Sequence, residues 1–465
     1  MTTGINSHVP AERAFLSDLV ADMERKVPYA SILINENRSL AITSSTRMDR
    51  VNETGPQAGA VLTAWTGEHF EEEVTSDLSR DGLAQAARNL TNRISVKPGA
   101  DSSLIDPGPT ITADYRTAHR IDPAQVTIAD KLAHCREMRR QIQEADQRIV
   151  DASCRYNENR ITTTFVNRNR DLFQEIIYLT FGPMIVISDG STTRYDVLYN
   201  AGTGGYELAQ VDQQEIEAMI ARIPCLLQAK RIEPGFYDVI TSPAASGLIA
   251  HESFGHGVET DMFLKGRARA RDYINRPVGS NLVDLYDDPT WPADPGSFFF
   301  DDEGQPASRT KVIDKGILVS GLTDLNAAMR LKLPRTANGR RDGTGKAYAR
   351  MTNTYFGAGP DKLEDMIASI EHGVYLGEIE SGMEDPKGWG VQCVLRWGRA
   401  IEGGKLTDQY FTQIGLTGFV PDLLSSISMV ADDIRLSGGS CGKGYKEFVR
   451  VGDGGPHMKM KARLG

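Results

Sequence analysis

His251 and Glu252 are neighbours, and His256 follows five residues after the first histidine, in the run HESFGH. Neutral imidazole is a good zinc donor. A carboxylate beside the first ligand can take a proton from a metal-bound water whose pKa has fallen to around 7. The three residues therefore suit metal-assisted hydrolysis, with Glu252 as general base. The pattern, H-E-x-x-x-H, is one residue longer than the common zinc-peptidase helix motif. At roughly 100° per residue, positions i and i+4 differ by about 40° but i and i+5 by about 140°, so a regular helix would aim the two imidazoles apart. A π-bulge or an early helix end is expected here, and Gly255 or Gly257 would tolerate either.

A catalytic zinc usually takes three protein ligands and leaves one position for water, so two histidines are too few. Glu259 and Asp261 follow closely enough to coordinate, or to orient a histidine from behind; read alone, they are equally a solvated helix end. Cys441, in GGSCGKG, is flanked by glycines that permit close backbone approach, which suits a thiolate ligand, although a small residue in a loop reads the same way. The residues alone leave the third ligand open.

A second group of chemical residues lies in KLPRTANGRRDGTGKAYAR (332–350) and just after it. Arg340, Arg341 and Arg350 among glycines suggest a loop that holds a substrate carboxylate or another anion, because guanidinium is a planar bidentate donor. Asn353 joins them as a candidate substrate-binding residue. DGTGKA fails the phosphate-loop spacing, and Ala347 stands where a hydroxyl is needed, so nucleotide binding is not expected.

The elements that must position these residues read as α+β. Residues 10–26 carry Phe15, Leu16, Leu19, Val20 and Met23 at helical spacing; 81–94 and 131–147 are further amphipathic helices. Strands are expected at 30–43 and 58–65, and an antiparallel meander over 151–190. The Pro- and Asp-rich stretch 98–110 predicts a loop, and 213–230 a helix interrupted at Pro224. The texture changes near residue 231. After the strand at 237–242 a helix carries the His/Glu cluster, and the remainder is glycine-rich with strand-like runs at 297–300, 310–322, 391–398 and 427–436. This predicts an N-terminal α+β domain, 1–230, and a C-terminal β-rich domain, 231–465, that carries the metal-binding helix.

The chain has 465 residues, enough for two or three domains with cores of their own. Its net charge of -10 offers no positive field for nucleic acid or an anionic membrane surface, and no stretch approaches the length of a membrane span. Five scattered cysteines fit reduced thiols rather than a disulfide framework, and a cytoplasmic protein is expected.

Several separated segments, in order, carry a resemblance: HESFGHGVETDMFLKG (251–266), DDEGQPASRTKVIDKGIL (301–318), NGRR (338–341) with ARMTNTY (349–355), and CGKGYKEFVRVGDGGPHMKM (441–460). In these the chain resembles the TldD/PmbA metallopeptidases, specifically the TldD-like, metal-bearing member. The resemblance implies zinc held by His251, His256 and Cys441 with Glu252 as catalytic base. It also implies a dimer, either of this chain with itself or with a related TldE/PmbA-like subunit, enclosing a cavity that admits unfolded peptide. Where the family is glycine-rich, this chain reads LGEIESGMEDPKGWG (376–390), and CGKGYKEFV departs from the usual residues after the cysteine.

The function expected is hydrolysis of peptide bonds in flexible peptides, including maturation of a peptide precursor. One alternative is an amidase that trims an aminoacyl or peptidyl group from a small-molecule intermediate. The other is a non-catalytic partner subunit, which the intact base and ligand set disfavours.

Overall fold

The computed structural model describes residues 9–103, 105, 109–443 and 446–465. The fold is α+β, with a β-rich C-terminal half.

The first sheet is built on four long antiparallel strands, Tyr29–Ser45, Asp49–Trp65, Ile149–Asn167 and Arg170–Ser188, with shorter strands completing it. Their β-branched and aromatic residues alternate with polar ones, so each strand offers two chemically different faces. One face of Tyr29–Ser45 carries Ile32, Ile34, Leu40 and Ile42. On it lie helices Val9–Glu24 and Arg80–Arg93, which bury Leu16, Leu19, Val20, Leu83 and Leu90, and helix Ile128–Ala145, which adds Cys135. The opposite face presents Leu33, Asn35 and Asn37 towards the C-terminal half.

The second half holds two further large sheets. In one, Gly235–Thr241 lies between His372–Leu376 and Met458–Leu464, and Gly390–Glu402 joins Lys405–Phe419 to the edge strand Ile379–Asp385. In the other, Asn353–Phe356 runs parallel to Lys446–Gly455, which pairs antiparallel with Arg435–Lys443. A single apolar cluster, including Val239, Ile249, Phe254, Val312, Leu376, Ile414, Val451 and Met460, packs these sheets around the helix that precedes the histidines.

Three expectations from the sequence fail in whole or in part. Helix Gln213–Leu227 runs through Pro224 without a break: a proline removes one hydrogen bond, but this one stands three residues from the end, where little helix remains to disrupt. Residues 297–300 form no strand. Phe298 and Phe300 are buried against the first sheet, which accounts for their apolar character without regular pairing. Residues 427–436 contribute only Met429–Val430 and the first residues of Arg435–Lys443 to strands. Of the loop expected at 98–110, residues 104 and 106–108 lie outside the described residues.

Candidate metal centre

Helix Pro243–Ala250 begins at Ser242, whose hydroxyl accepts from the N–H of Ala245 at 3.2 Å, with proline in the first helical position. The helix does not continue regularly. His251–Gly255 form a single π turn in which the N–H of His256 reaches the carbonyl of His251, five residues back. The widened turn absorbs the extra residue of H-E-x-x-x-H and returns both imidazoles to one side, with ring centres 5.2 Å apart. Gly255 is closely packed: a Cβ there would stand 2.6 Å from Met351 Sδ, which would have to move.

Cys441 arrives from the ribbon formed by Arg435–Lys443 and Lys446–Gly455, where it pairs with Val449. Its Sγ lies 3.0 Å from His256 Nε2, and one donor atom from each of His251, His256 and Cys441 falls within 4.8 Å of the others. All three residues are buried. His251 Nδ1 lies 3.5 Å from Asp453 Oδ2, and His256 Nδ1 lies 3.4 Å from Glu259 Oε2. A carboxylate behind each imidazole is the arrangement that fixes the orientation of metal-binding histidines. Two imidazoles and one thiolate are a donor set suited to zinc, and the buried, convergent placement fits that ion.

The electrostatics follow from this crowding. Burial alone would raise the Cys441 thiol, but hydrogen bonds from His251 and His256 outweigh it and bring the group down to about 6. Burial works against the charged form of His256 too, yet Glu259 and Cys441 raise it to about 10; His251 is likewise raised, against burial, by Asp453 and Cys441. Glu259 is held below the ordinary carboxylate range despite full burial, because Lys443, His256 and Arg350 surround it. Lys443 Nζ is 2.9 Å from Glu259 Oε2 and 2.7 Å from Asp261 Oδ1, and Asp261 also takes Lys265 at 2.9 Å. Glu259 thus touches His256, whereas Asp261 is engaged by lysines.

Glu252 is buried in the π turn beside both histidines. Burial, reinforced by Glu384, raises its carboxyl to about 7 while His251 and His256 pull the other way. Strand Ile379–Asp385 passes directly over it: a Cβ on Gly382 would lie 2.3 Å from Glu252 Oε1. The same strand brings Glu384 to Glu252 and His256, so that these three also offer donor atoms within 4.8 Å of one another.

The remaining candidates part company. Arg350 is fully buried; its Nε donates to Glu259 Oε1 at 3.1 Å, one Nη lies 3.0 Å from both the carbonyl and Sγ of Cys441, and the other donates to the Glu447 carbonyl. Arg341 pairs with Glu72 and donates to the Gly345 carbonyl at 2.8 Å. Asn353 is internal as well, donating to the Asp288 carbonyl and Ser297 Oγ and accepting from Gly296 N–H. Of the four, Arg340 faces a cavity without a carboxylate ion-pair partner among the described residues. Asp453 and Glu384 were not singled out from the sequence. Asp453 lies in the conspicuous VGDGG run, but nothing local marks its partner; Glu384 belongs to the divergent 376–390 segment, and only tertiary pairing places it at the histidines.

Residues 234–463 match the family model described as the PmbA/TldA metallopeptidase C-terminal domain. Over 461 residues the chain is 27% identical to a protein of Methanothermobacter thermautotrophicus named "Metalloprotease", covering 96% of this chain and 97% of that one. It is 29% identical to the "Zinc metalloprotease TldD homolog" of Saccharolobus solfataricus, over 59% of this chain and 65% of the relative. The crystal structure of TldE from Thermococcus kodakarensis superposes with a TM-score of 0.71 at 15% identity, over 96% of this chain and 99% of that one, which shows a shared fold. Fold and relatives together define a metallopeptidase family. The chain belongs to the TldD/PmbA family.

Proposed function

We propose that this protein is a zinc-dependent peptidase acting on flexible peptides, with zinc held by His251, His256 and Cys441 and Glu252 as general base. The observation that carries the reading is the convergence of those three donor atoms within 4.8 Å beside a buried carboxylate. When bound, zinc supplies Lewis acidity towards the scissile carbonyl and its attacking water. The chain does the rest. Glu252 takes a proton from the water as the C–O bond forms, then delivers it to the leaving nitrogen as the C–N bond breaks. Asp453 and Glu259 hold the two imidazoles in place, and Arg350 fixes the backbone and thiol of Cys441.

The zinc assignment draws on the donor set and on the name of the Saccharolobus relative. Flexible peptide substrates, a role in peptide maturation and a cytoplasmic location belong to the same reading. So do pairing in a homodimer or with a TldE/PmbA-like subunit, which the TldE-like fold supports, and the division into units 1–230 and 231–465. A small-molecule amide substrate is the second reading, which the divergent 376–390 segment, bringing Glu384 beside the base, keeps open.

Glu252→Gln tests the core of the proposal. The amide cannot accept the water's proton while the histidines and Cys441 are unchanged, so zinc content by elemental analysis should stay near one per chain and turnover of a mixed peptide pool, read by mass spectrometry, should drop about 10²–10⁴-fold. A zinc-loaded Glu252→Gln protein with near wild-type hydrolysis sinks the general-base role.

A further inference from the structure

A cavity of about 270 Å³ lies between the polar face of the first sheet and the back of the Cys441 ribbon. The ribbon's register decides which side is which. Cys441 and Val449 form one cross-strand pair and Ser440 and Arg450 the next, so the thiol and the Arg450 side chain leave on opposite faces. Asp453, three residues after Arg450, shares the face of Cys441 and approaches His251. The cavity and the metal centre are thus separated by the thickness of one two-stranded ribbon.

Three arginines line this cavity; Arg341 is paired with Glu72, and two others remain. Arg340 is 8% exposed, lies 5.3 Å over the Phe298 ring, and makes one hydrogen bond, to the Met351 carbonyl at 2.6 Å. Arg450 lies 4.7 Å over the Tyr178 ring and donates to Asn159 Oδ1. Neither forms an ion pair with a carboxylate among the described residues. Tyr178 and Phe298 belong to one apolar cluster, so the two cations stand on adjoining aromatic shelves, and both act on the Tyr178 phenol. Burial lowers both guanidiniums; Tyr178 acts against it at each, and Asp302 also at Arg340. The acids on the cavity wall accept from backbone groups: Asp301 from the N–H groups of Glu303, Gln305 and Gly339, Asp302 from that of Arg341, and Asp342 from that of Phe448; Asp302 also attracts Arg340 without a direct ion pair. Asn35, Asn37 and Asn159 provide neutral donors and acceptors around the space.

We infer that this cavity is a binding site for a small oxyanion, a carboxylate or phosphate, gripped by Arg340 and Arg450 behind the ribbon that carries Cys441. Planar guanidiniums on aromatic shelves are suited to such groups, and the volume admits a molecule of several heavy atoms rather than a lone ion. The ligand contacts the back of the thiol-bearing strand and does not enter the metal centre.

The test is isothermal titration of the full-length protein with succinate and, separately, inorganic phosphate at low ionic strength. Saturable binding of either anion is expected, at least ten-fold weaker in Arg450→Gln and in Arg340→Lys, and unchanged in Arg25→Gln, which alters an exposed arginine elsewhere. Which anion binds separates a carboxylate ligand from a phosphate. Absence of saturable binding by both, or equal binding in Arg450→Gln, overturns the site. Circular dichroism checks folding; should Arg450→Gln fail to fold, Arg450→Lys, which keeps the charge but loses the planar fork, decides by the same ten-fold criterion. Glu252→Gln should bind the anion as the wild type does, and loss of binding there would refute the separation from the metal centre. Because the readout needs no turnover, failure of the peptidase reading leaves this test intact.

Discussion

Arg350 links more of the centre than any residue that would touch the metal, because it joins Glu259, Cys441 and the far end of the ribbon through one buried guanidinium. Removing one partner of a buried pair leaves the other charge poorly compensated, so Arg350→Met should lose about 3–5 kcal/mol of stability in urea denaturation. Lys443 partly covers Glu259, which favours the lower end. Asp453 acts at longer reach. Asp453→Ala removes the carboxylate behind His251 and should weaken zinc binding about 10–100-fold in competition with a chelator; undiminished affinity would show that His251 needs no such support. The grouping of His251, Glu252 and His256 is legible in the sequence because reactive side chains in unusual spacing stand out; Cys441 stays one of several open candidates until the family resemblance selects it. Asp453, Glu384 and Arg450 are not legible, since each owes its place to strand pairing across the fold and none has a chemical neighbour in sequence that declares its role.

Among the elements, the π turn was the most informative expectation. A five-residue interval between two imidazoles is incompatible with a regular helix that aims both at one point, and the chain resolves the conflict within His251–Gly255. Helices with clear apolar stripes and long alternating strands were readable for the same reason: their periodicity is local. Pro224 is tolerated because it stands too near the helix end to break it, and the coil at 297–300 escapes local pattern because tertiary burial accounts for its phenylalanines. Strand Ile379–Asp385 offers a test at this level. Its approach to Glu252 depends on the missing side chain of Gly382, so in Gly382→Ala the added methyl must displace the flexible Glu252 carboxylate. Turnover should fall about ten-fold or more while zinc content and thermal stability stay close to wild type, since a displacement of about 1 Å in a catalytic group costs far more in rate than in folding energy. Equal loss of stability and activity would mean that the strand, not the carboxylate, gives way.

For the molecule as a whole, a buried carboxyl lies at the contact between its halves. Glu303 accepts from the N–H of Leu325 at 2.6 Å. Burial, reinforced by Asp324 and Asp301 and opposed by Arg335, raises its carboxyl to about 8. An acid raised in the folded state favours folding fully below its unfolded pKa, near 4.3, and loses that contribution as pH climbs through the folded value. Wild type should therefore weaken relative to Glu303→Gln between about pH 4.5 and 8, by at most about 1.4 kcal/mol per pH unit, in urea midpoints measured across that range. A constant difference between the two proteins would show that Glu303 titrates normally. The Cys441 ribbon carries a consequence of another kind. Side chains on a strand alternate, so a slip of one residue would turn Cys441 towards the arginines and present Ser440 to the histidines. An insertion or deletion of a single residue just before Cys441 would then turn the thiol away from the histidines while every ligand remains in the sequence. For such a protein, parity along one hairpin is as decisive as the identity of the ligands.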